Sequence, residues 1–143
     1  MRLIPYTLIL MSLACLVLVG DKVGAQEHKA VVSLAEAKIV IFVSPIAEEI
    51  RRKGMDIGVE LQSSSQLNQN NFYYFWVYNN KRTDLGGSVT IGYYAVSKYT
   101  ADVWNVDSSQ LVSGGLLGDI QAILRAEHGI DESVVKRYQS SPP

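Results

Sequence analysis

A few carboxylates in this 143-residue chain could take part in acid–base chemistry. Asp102 and Asp107 flank Trp104, and either could form a carboxylate pair with Glu60 or Asp84. Two carboxylates at close range can divide the roles of proton donor and proton acceptor in a hydrolysis. Turn capping and exposure to solvent explain isolated aspartates more simply. We therefore expect no catalytic residue, and a hydrolase that uses these carboxylates is the alternative.

Metal and nucleotide chemistry have little support in the residue pattern. His28 and His128 lie far apart in the sequence and form no i, i+4 ligand pair. Residues 113–115, Ser-Gly-Gly, precede a helical pattern and could hold an anion on backbone N–H groups, but no lysine follows at P-loop spacing. We expect Ser113 to act as an ordinary helix N-cap. The sequence therefore predicts neither a metal site nor a cofactor.

Aromatic side chains offer a better candidate surface than these polar groups. Residues 72–78 read Phe-Tyr-Tyr-Phe-Trp-Val-Tyr, and strand alternation sends the first, third, fifth and seventh of them to one face. Tyr and Trp give large contact areas at low entropic cost, which suits recognition, although core packing is the commoner role of such rings. The expected ligand- or partner-binding residues are Tyr74, Trp76, Tyr78, Tyr94 and Trp104.

A helix is the first element expected to support this surface. Ser33 and Glu36 have the spacing of a capping box, and apolar residues then recur at helical spacing. Pro45 interrupts this segment, since a proline inside a helix removes a hydrogen bond. Either one helix bends there, or residues 37–43 form a strand and Ser44 begins a shorter helix at the proline. The apolar stripe stays in phase across Pro45, so we predict one kinked helix.

The middle of the chain is typical of β-structure. Four strands are expected, at 57–62, 72–78, 88–98 and 102–106. The last two form a hairpin around a tight connection. Within the third strand, alternation puts Thr90 and Tyr94 on one face and Tyr93 on the other.

The chain then returns to helix. Apolar residues from Leu116 to Leu124 share one face, Gly129 is expected at the C-terminal stop, and residues 131–138 are expected to add a short helical turn. The element order predicts an α+β domain, with an N-terminal helix packed on a four-stranded antiparallel sheet and a C-terminal helix.

Residues 1–25 have the pattern of a secretory signal peptide. Arg2 precedes an apolar run, and Val23 and Ala25 are small residues at the −3 and −1 positions of a cut before Gln26. The run is too short to cross a bilayer comfortably, so we expect no membrane span after cleavage. The sequence thus predicts an exported protein, periplasmic or secreted.

Cleavage would leave a domain that has no thiol. Cys15 is the single cysteine and lies in the apolar run, where a lipoprotein anchor is the less favoured alternative. The net charge is −1 for the whole chain and −2 without residues 1–25, so no basic excess favours nucleic-acid binding. We expect one domain at 26–138 and a disordered tail at 139–143.

One local pattern resembles a known family. Residues 96–104 read Val-Ser-Lys-Tyr-Thr-Ala-Asp-Val-Trp and resemble the hairpin V-D-x-x-T-G-E-V-W of PepSY-type and related small exported domains. Asp102 stands at the acidic position, Ala101 replaces the glycine, and Ser97 replaces the usual Asp or Asn. The order of helix and strands is also similar to that of cystatin-like folds, which include exported inhibitor and immunity proteins. Both resemblances imply a non-enzymatic binding protein.

These observations favour a small exported binding protein that acts through its aromatic sheet face or through the loops at 63–71 and 79–87. Its partner is expected to be a protein, such as an enzyme to be inhibited, or a small ligand in the cell envelope. Two alternatives remain open: a small envelope hydrolase, and a structural envelope protein that homodimerises through its sheet.

Overall fold

Two helices, five strands and two further helices follow one another in the computed structural model, which describes residues 30–62, 71–81 and 89–143. The helices are α1 (Leu34–Phe42), α2 (Pro45–Arg52), α3 (Leu116–Glu127) and α4 (Glu132–Gln139). The strands are β1 (Ile57–Leu61), β2 (Phe72–Asn79), β3 (Val89–Ser97), β4 (Val103–Asn105) and β5 (Gln110–Val112). The predicted signal peptide, with Cys15, lies outside the described residues, as does Asp84.

The strands form one antiparallel sheet in the order β1-β2-β3-β4-β5. The α+β class is confirmed, but the prediction of four strands was wrong. β5 has only three residues, which are too few to show an alternating apolar pattern in the sequence. Two of the three are exposed. It pairs with β4 through the turn at residues 106–109.

Pro45 separates two helices, so the prediction of a single kinked helix was wrong. The backbone of Ser44 is extended, as favoured for a residue before proline, and its hydroxyl donates to the Ile41 carbonyl at 2.7 Å. The Ser44 oxygen also accepts from the Ala47 N–H, so it caps α2, where Pro45 takes the first position. Residues 37–43 are helical rather than extended up to Phe42.

The capping box at the start of α1 is confirmed. Ser33 Oγ accepts from the Glu36 N–H, and the Glu36 carboxylate accepts from the Ser33 N–H at 2.7 Å. Three residues of the helix, Ala37, Val40 and Ile41, are buried against the sheet core.

The main core lies between the helices and one face of the sheet. Its buried strand residues are Phe75, Val77, Tyr94, Val96 and Val103, and the helices add residues that include Ile41, Ile50, Leu117 and Leu124. We call this the inner face of the sheet and the opposite one the outer face. The core therefore fixes which aromatic residues of β2 and β3 can reach a partner.

The end of α3 is confirmed as predicted, whereas its start is not. Gly129 has a φ of +63°, and the Ile130 N–H donates to the Arg125 carbonyl at 2.8 Å, which is a Schellman-type ending. The N-cap is Gly115, with no side-chain cap, so the prediction for Ser113 was wrong. The expected helical turn at 131–138 is α4, which runs to Gln139, the first residue of the predicted tail.

Within the described ranges, no helix is long and apolar enough to cross a membrane.

Candidate functional site

The five residues predicted to bind a partner do not share one surface. Tyr94 pairs with Phe75 and is buried in the core on the inner face, on the opposite side from the other four residues. Tyr74, Trp76, Tyr78 and Trp104 all belong to the outer face. Tyr94 is therefore a packing residue, and burial is the main cause that raises the pKa of its phenol.

The outer face has a buried end and an exposed end. At the buried end Phe72, Tyr74, Ala95 and Trp104 form a second small apolar cluster, to which no described helix contributes. Tyr74 is 7% exposed and Trp104 is 6% exposed, and burial raises the pKa of the Tyr74 phenol. These two predicted residues are thus poorly placed to touch a partner.

At the exposed end, Trp76 and Tyr78 stack on each other. Their ring centroids lie 4.4 Å apart with an angle of 29° between the rings, and both side chains are half-buried. The Trp76 indole N–H donates to Thr90 Oγ1 at 3.1 Å. Tyr93, which is 42% exposed, lies directly across from Trp76 on β3.

A β-bulge brings Thr90 to this side of the sheet. The register shifts between Val77 and Tyr78, so Tyr78 pairs with Thr90 whereas Trp76 pairs with Tyr93. Because Trp76 and Tyr78 share the outer face, Thr90 and Tyr93 share it too. The prediction that Thr90 and Tyr94 lie on one face was therefore wrong, and Tyr93 is a surface residue that the predicted set missed.

Glu60 on β1 completes this surface. The Tyr78 hydroxyl donates to Glu60 Oε1 at 2.7 Å, and this bond is the main cause that raises the pKa of the phenol. A Cβ on Gly58, the residue opposite Tyr78, would lie 2.3 Å from Tyr78 Cζ, so only glycine leaves room for the ring. We call the surface formed by Glu60, Trp76, Tyr78, Thr90 and Tyr93 the aromatic patch.

Asp102, the proposed acid–base residue of the alternative, belongs to a structural network. It is 3% exposed and forms a 2.7 Å ion pair with Arg125. It also accepts hydrogen bonds from the Thr100 hydroxyl at 2.6 Å and the Gln139 amide at 3.1 Å. This network fastens α3 and α4 to the β3–β4 turn. Asp107 is exposed and Glu60 lies in the aromatic patch, so the described carboxylates do not form the expected pair.

The β3–β4 hairpin turn holds a non-glycine residue in the left-handed region. Ala101, at the glycine position of the pattern, has a φ of +60°. Such a backbone costs an L-residue about 1 kcal/mol. Ser97 holds the turn, since its hydroxyl accepts from the Tyr99 and Thr100 N–H groups, and the Gln121 amide donates to the Ala101 carbonyl at 2.9 Å.

His128 has a structural partner. Its Nε2 lies 2.8 Å from Glu36 Oε1, which joins the end of α3 to the start of α1. The pKa of Glu36 is lowered, first by its hydrogen bonds to Ser33 and then by His128. In the part of the chain that the structure describes, no group of three or more potential ligands could hold a metal ion.

The pocket at the Tyr99–Tyr138 stack is too small to indicate a ligand. It has a volume of about 150 Å³, and its lining includes His128, Ile130, Val134 and the stacked rings of Tyr99 and Tyr138. Pockets for organic ligands usually measure about 300–1,000 Å³.

The helical layer also exposes apolar side chains that belong to the predicted apolar faces of the helices. They are Ile39 and Phe42 on α1 and Leu116 and Ile123 on α3, with Ile123 59% exposed. The sequence of α1 is apolar on nearly all sides of the helix. Such a pattern indicates that more than one face of the helix is to be covered.

Comparison with known proteins shows similarity of fold to a solved structure. No protein-family model and no curated protein matches the chain. A chain in the structure of a type VI secretion system effector–immunity complex from Pseudomonas protegens is similar, with a TM-score of 0.54 and 23% sequence identity. The match covers 74% of this chain and 84% of that chain. At this sequence identity, the similarity to the Pseudomonas protegens chain shows a shared α+β fold. The PepSY-type and cystatin-like resemblances stay predictions.

Proposed function

We propose that this protein is a small exported, non-enzymatic binding protein of the immunity or inhibitor type, which sequesters a protein partner through the aromatic patch. The observation that carries the proposal is the exposed end of the outer face. There a stacked Trp–Tyr pair, an exposed tyrosine and a carboxylate stand together on rigid strands. Tyr and Trp are the residues most enriched among those that dominate binding energy at interfaces.

The fold likeness supports the same reading. The similar chain comes from an effector–immunity complex, in which two proteins are bound to each other. A protein partner for this chain is compatible with that likeness and with the resemblance to exported immunity proteins. Export itself rests on the signal-peptide pattern of residues 1–25.

The hydrolase alternative has less support. Asp102 already accepts from Thr100, Arg125 and Gln139, and a general acid or base must be free to reach a substrate. Homodimerisation through the sheet would use the aromatic patch as well, so it is an outcome of the same experiment.

The test begins with capture of the partner. The protein is immobilised and exposed to the envelope and secreted fractions of the organism that produces it, in parallel with its Trp76→Ala variant. A protein retained by the first and not by the second is identified, and its own activity is then measured with increasing amounts of this chain.

The proposal predicts loss of the partner's activity at a one-to-one ratio, with no loss when Trp76→Ala is added at the same concentration. Three results would contradict it: a captured protein that stays fully active, a patch occupied by a second copy in sedimentation experiments, or hydrolytic activity of this chain alone.

A further inference from the structure

We infer that the partner presents a cationic side chain, arginine or lysine, to the aromatic patch, where it pairs with Glu60 and lies against the ring of Trp76. This inference rests on the proposed function, since it gives the chemistry of the partner at the same surface.

Among the described residues, no positive charge lies within ion-pairing distance of the patch carboxylate. Glu60 is exposed, and none of the described Lys, Arg or His residues lies within 4.0 Å of its carboxylate. It is also the only residue with a formal charge in β1, β2 and β3. A cation from outside the chain would therefore find an anion with no competing positive neighbour on these three strands.

The carboxylate is oriented, and one of its oxygens has no donor among the described residues. Oε1 accepts from the Tyr78 hydroxyl at 2.7 Å, whereas no described residue donates to Oε2. A guanidinium or ammonium group could donate to Oε2 without displacing the tyrosine. Charge-assisted bonds of this kind are stronger than neutral ones.

The Trp76 ring beside Glu60 adds a second attraction for a cation. The faces of Trp and Tyr carry a negative quadrupole, so a cation within about 6 Å of a ring centroid is stabilised. The chain makes this contact within itself, because Lys98 Nζ lies 5.1 Å from the centroid of the Tyr73 ring. At the patch the rings are held in advance: Thr90 binds the indole N–H, and Gly58 leaves space for Tyr78.

A flat sugar ring could also stack on exposed aromatic residues. It would leave the charge of Glu60 unpaired, whereas a cation satisfies the carboxylate and the Trp76 ring together. The observations therefore favour a basic protein segment, and glycan binding is an outcome of the test.

The experiment uses the ¹⁵N-labelled protein and three probes. They are an acetylated pentapeptide with two arginines, the same peptide with uncharged citrulline at both positions, and a tetramer of N-acetylglucosamine. Binding is followed by the amide signals of Glu60 and Tyr78 and the indole N–H signal of Trp76. The matched variants are Glu60→Gln and Asp119→Asn, which remove the same charge, the second from an exposed position at the start of α3.

We expect the arginine peptide to shift these three signals in a saturable way and the citrulline peptide to leave them in place. Glu60→Gln should weaken arginine binding about threefold or more, as for an exposed ion pair, whereas Asp119→Asn should not change it measurably. Equal binding of both peptides, equal effects of the two variants, or shifts with the sugar alone would overturn the inference.

The two proposals fail in different ways. If Trp76→Ala abolishes capture of an inhibited partner while the arginine peptide causes no shift, the proposed function stands and the cation site falls. If arginine binds as described but no partner is inhibited, the cation site stands and the proposed function falls.

Discussion

The Tyr78 hydroxyl donates a 2.7 Å hydrogen bond to the carboxylate of Glu60 on the neighbouring strand, and the Tyr78 ring lies over the backbone of Gly58. This relationship ties β1 to β2 on the outer face through side chains as well as through the backbone. It also sets the tyrosine ring against Trp76 and so holds the aromatic patch in one shape.

A methyl group at Gly58 tests this arrangement. Gly58→Ala would place its Cβ 2.3 Å from Tyr78 Cζ, so the ring must move and the stack with Trp76 should be lost. We expect a loss of about 1 kcal/mol in the free energy of unfolding, at the low end for an overpacked site, because the ring is half-buried. Near-UV circular dichroism and urea unfolding measure the two effects.

Gly118→Ala is the control for that substitution. A Cβ at Gly118, in the interior of α3, would meet no atom within 4 Å beyond the nearby backbone of its own helix, so alanine should stabilise the helix by up to about 1 kcal/mol. An unchanged near-UV spectrum for Gly58→Ala would show that the Tyr78 ring is not held as described.

The two tryptophans should differ in what they do for stability. Trp104 is buried in the apolar cluster of the outer face, so Trp104→Ala should lower the free energy of unfolding by about 3–5 kcal/mol. Trp76 is half-buried at the exposed end, and we expect Trp76→Ala to cost about 1 kcal/mol. Urea unfolding at equal protein concentration compares them, and a larger loss for Trp76→Ala would assign Trp76 to the core.

The ion pair between Asp102 and Arg125 should stabilise the fold without serving a reaction. Asp102→Ala removes a buried carboxylate and leaves three donors without their acceptor, so a loss of about 3 kcal/mol is expected. A double-mutant cycle with Arg125→Met should give a coupling energy of about 1–3 kcal/mol. Partner capture should persist below the melting temperature of the variant, and complete loss of function in a folded Asp102→Asn variant would instead favour the hydrolase.

The capping box of α1 predicts a pH dependence. Hydrogen bonds with Ser33, and then His128, lower the pKa of Glu36, so the ionised carboxylate contributes stability above about pH 4 that is lost as the pH falls through its folded pKa. Ser33→Ala should cost about 1 kcal/mol at neutral pH and less at acid pH, where Glu36 is protonated.

Unfolding across pH 2–7 measures this difference. Ser108→Ala, in an exposed turn, is the control and should show no dependence on pH. A Ser33→Ala effect that stays constant over the whole range would contradict the role given to Glu36.

Several features that depend on residues close together in the sequence were predicted correctly. The capping box at Ser33, the stop at Gly129 and the β3–β4 hairpin belong to this class. At Pro45 the apolar residues continue at helical spacing, which favoured one kinked helix, but the extended backbone of Ser44 separates α1 from α2. The Ser44 hydroxyl oxygen accepts from the Ala47 N–H and so caps a second helix. The sequence alone does not favour two separate helices over one kinked helix.

The composition of the candidate site depended on pairings between distant strands. Alternation within β3 separates Tyr93 from Tyr94, but only the register with β2 shows which of them joins Trp76. The bulge that moves Thr90 to the outer face lies next to Gly92, and a glycine inside a strand often marks a bulge, but this signal does not show which residues of β2 pair with Thr90. Glu60 reaches the patch through the β1–β2 pairing, across a stretch of chain with no apolar periodicity.

Affinity for the captured partner is the most direct test of the aromatic patch. The comparison is between Trp76→Ala and Ile123→Ala, which removes a 59% exposed apolar side chain from the helical layer. We predict at least about 30-fold weaker binding for Trp76→Ala, the effect of losing a dominant interface residue, and less than about threefold for Ile123→Ala. Strong loss with Ile123→Ala and wild-type affinity with Trp76→Ala would place the binding surface on the helices and rule out the aromatic patch.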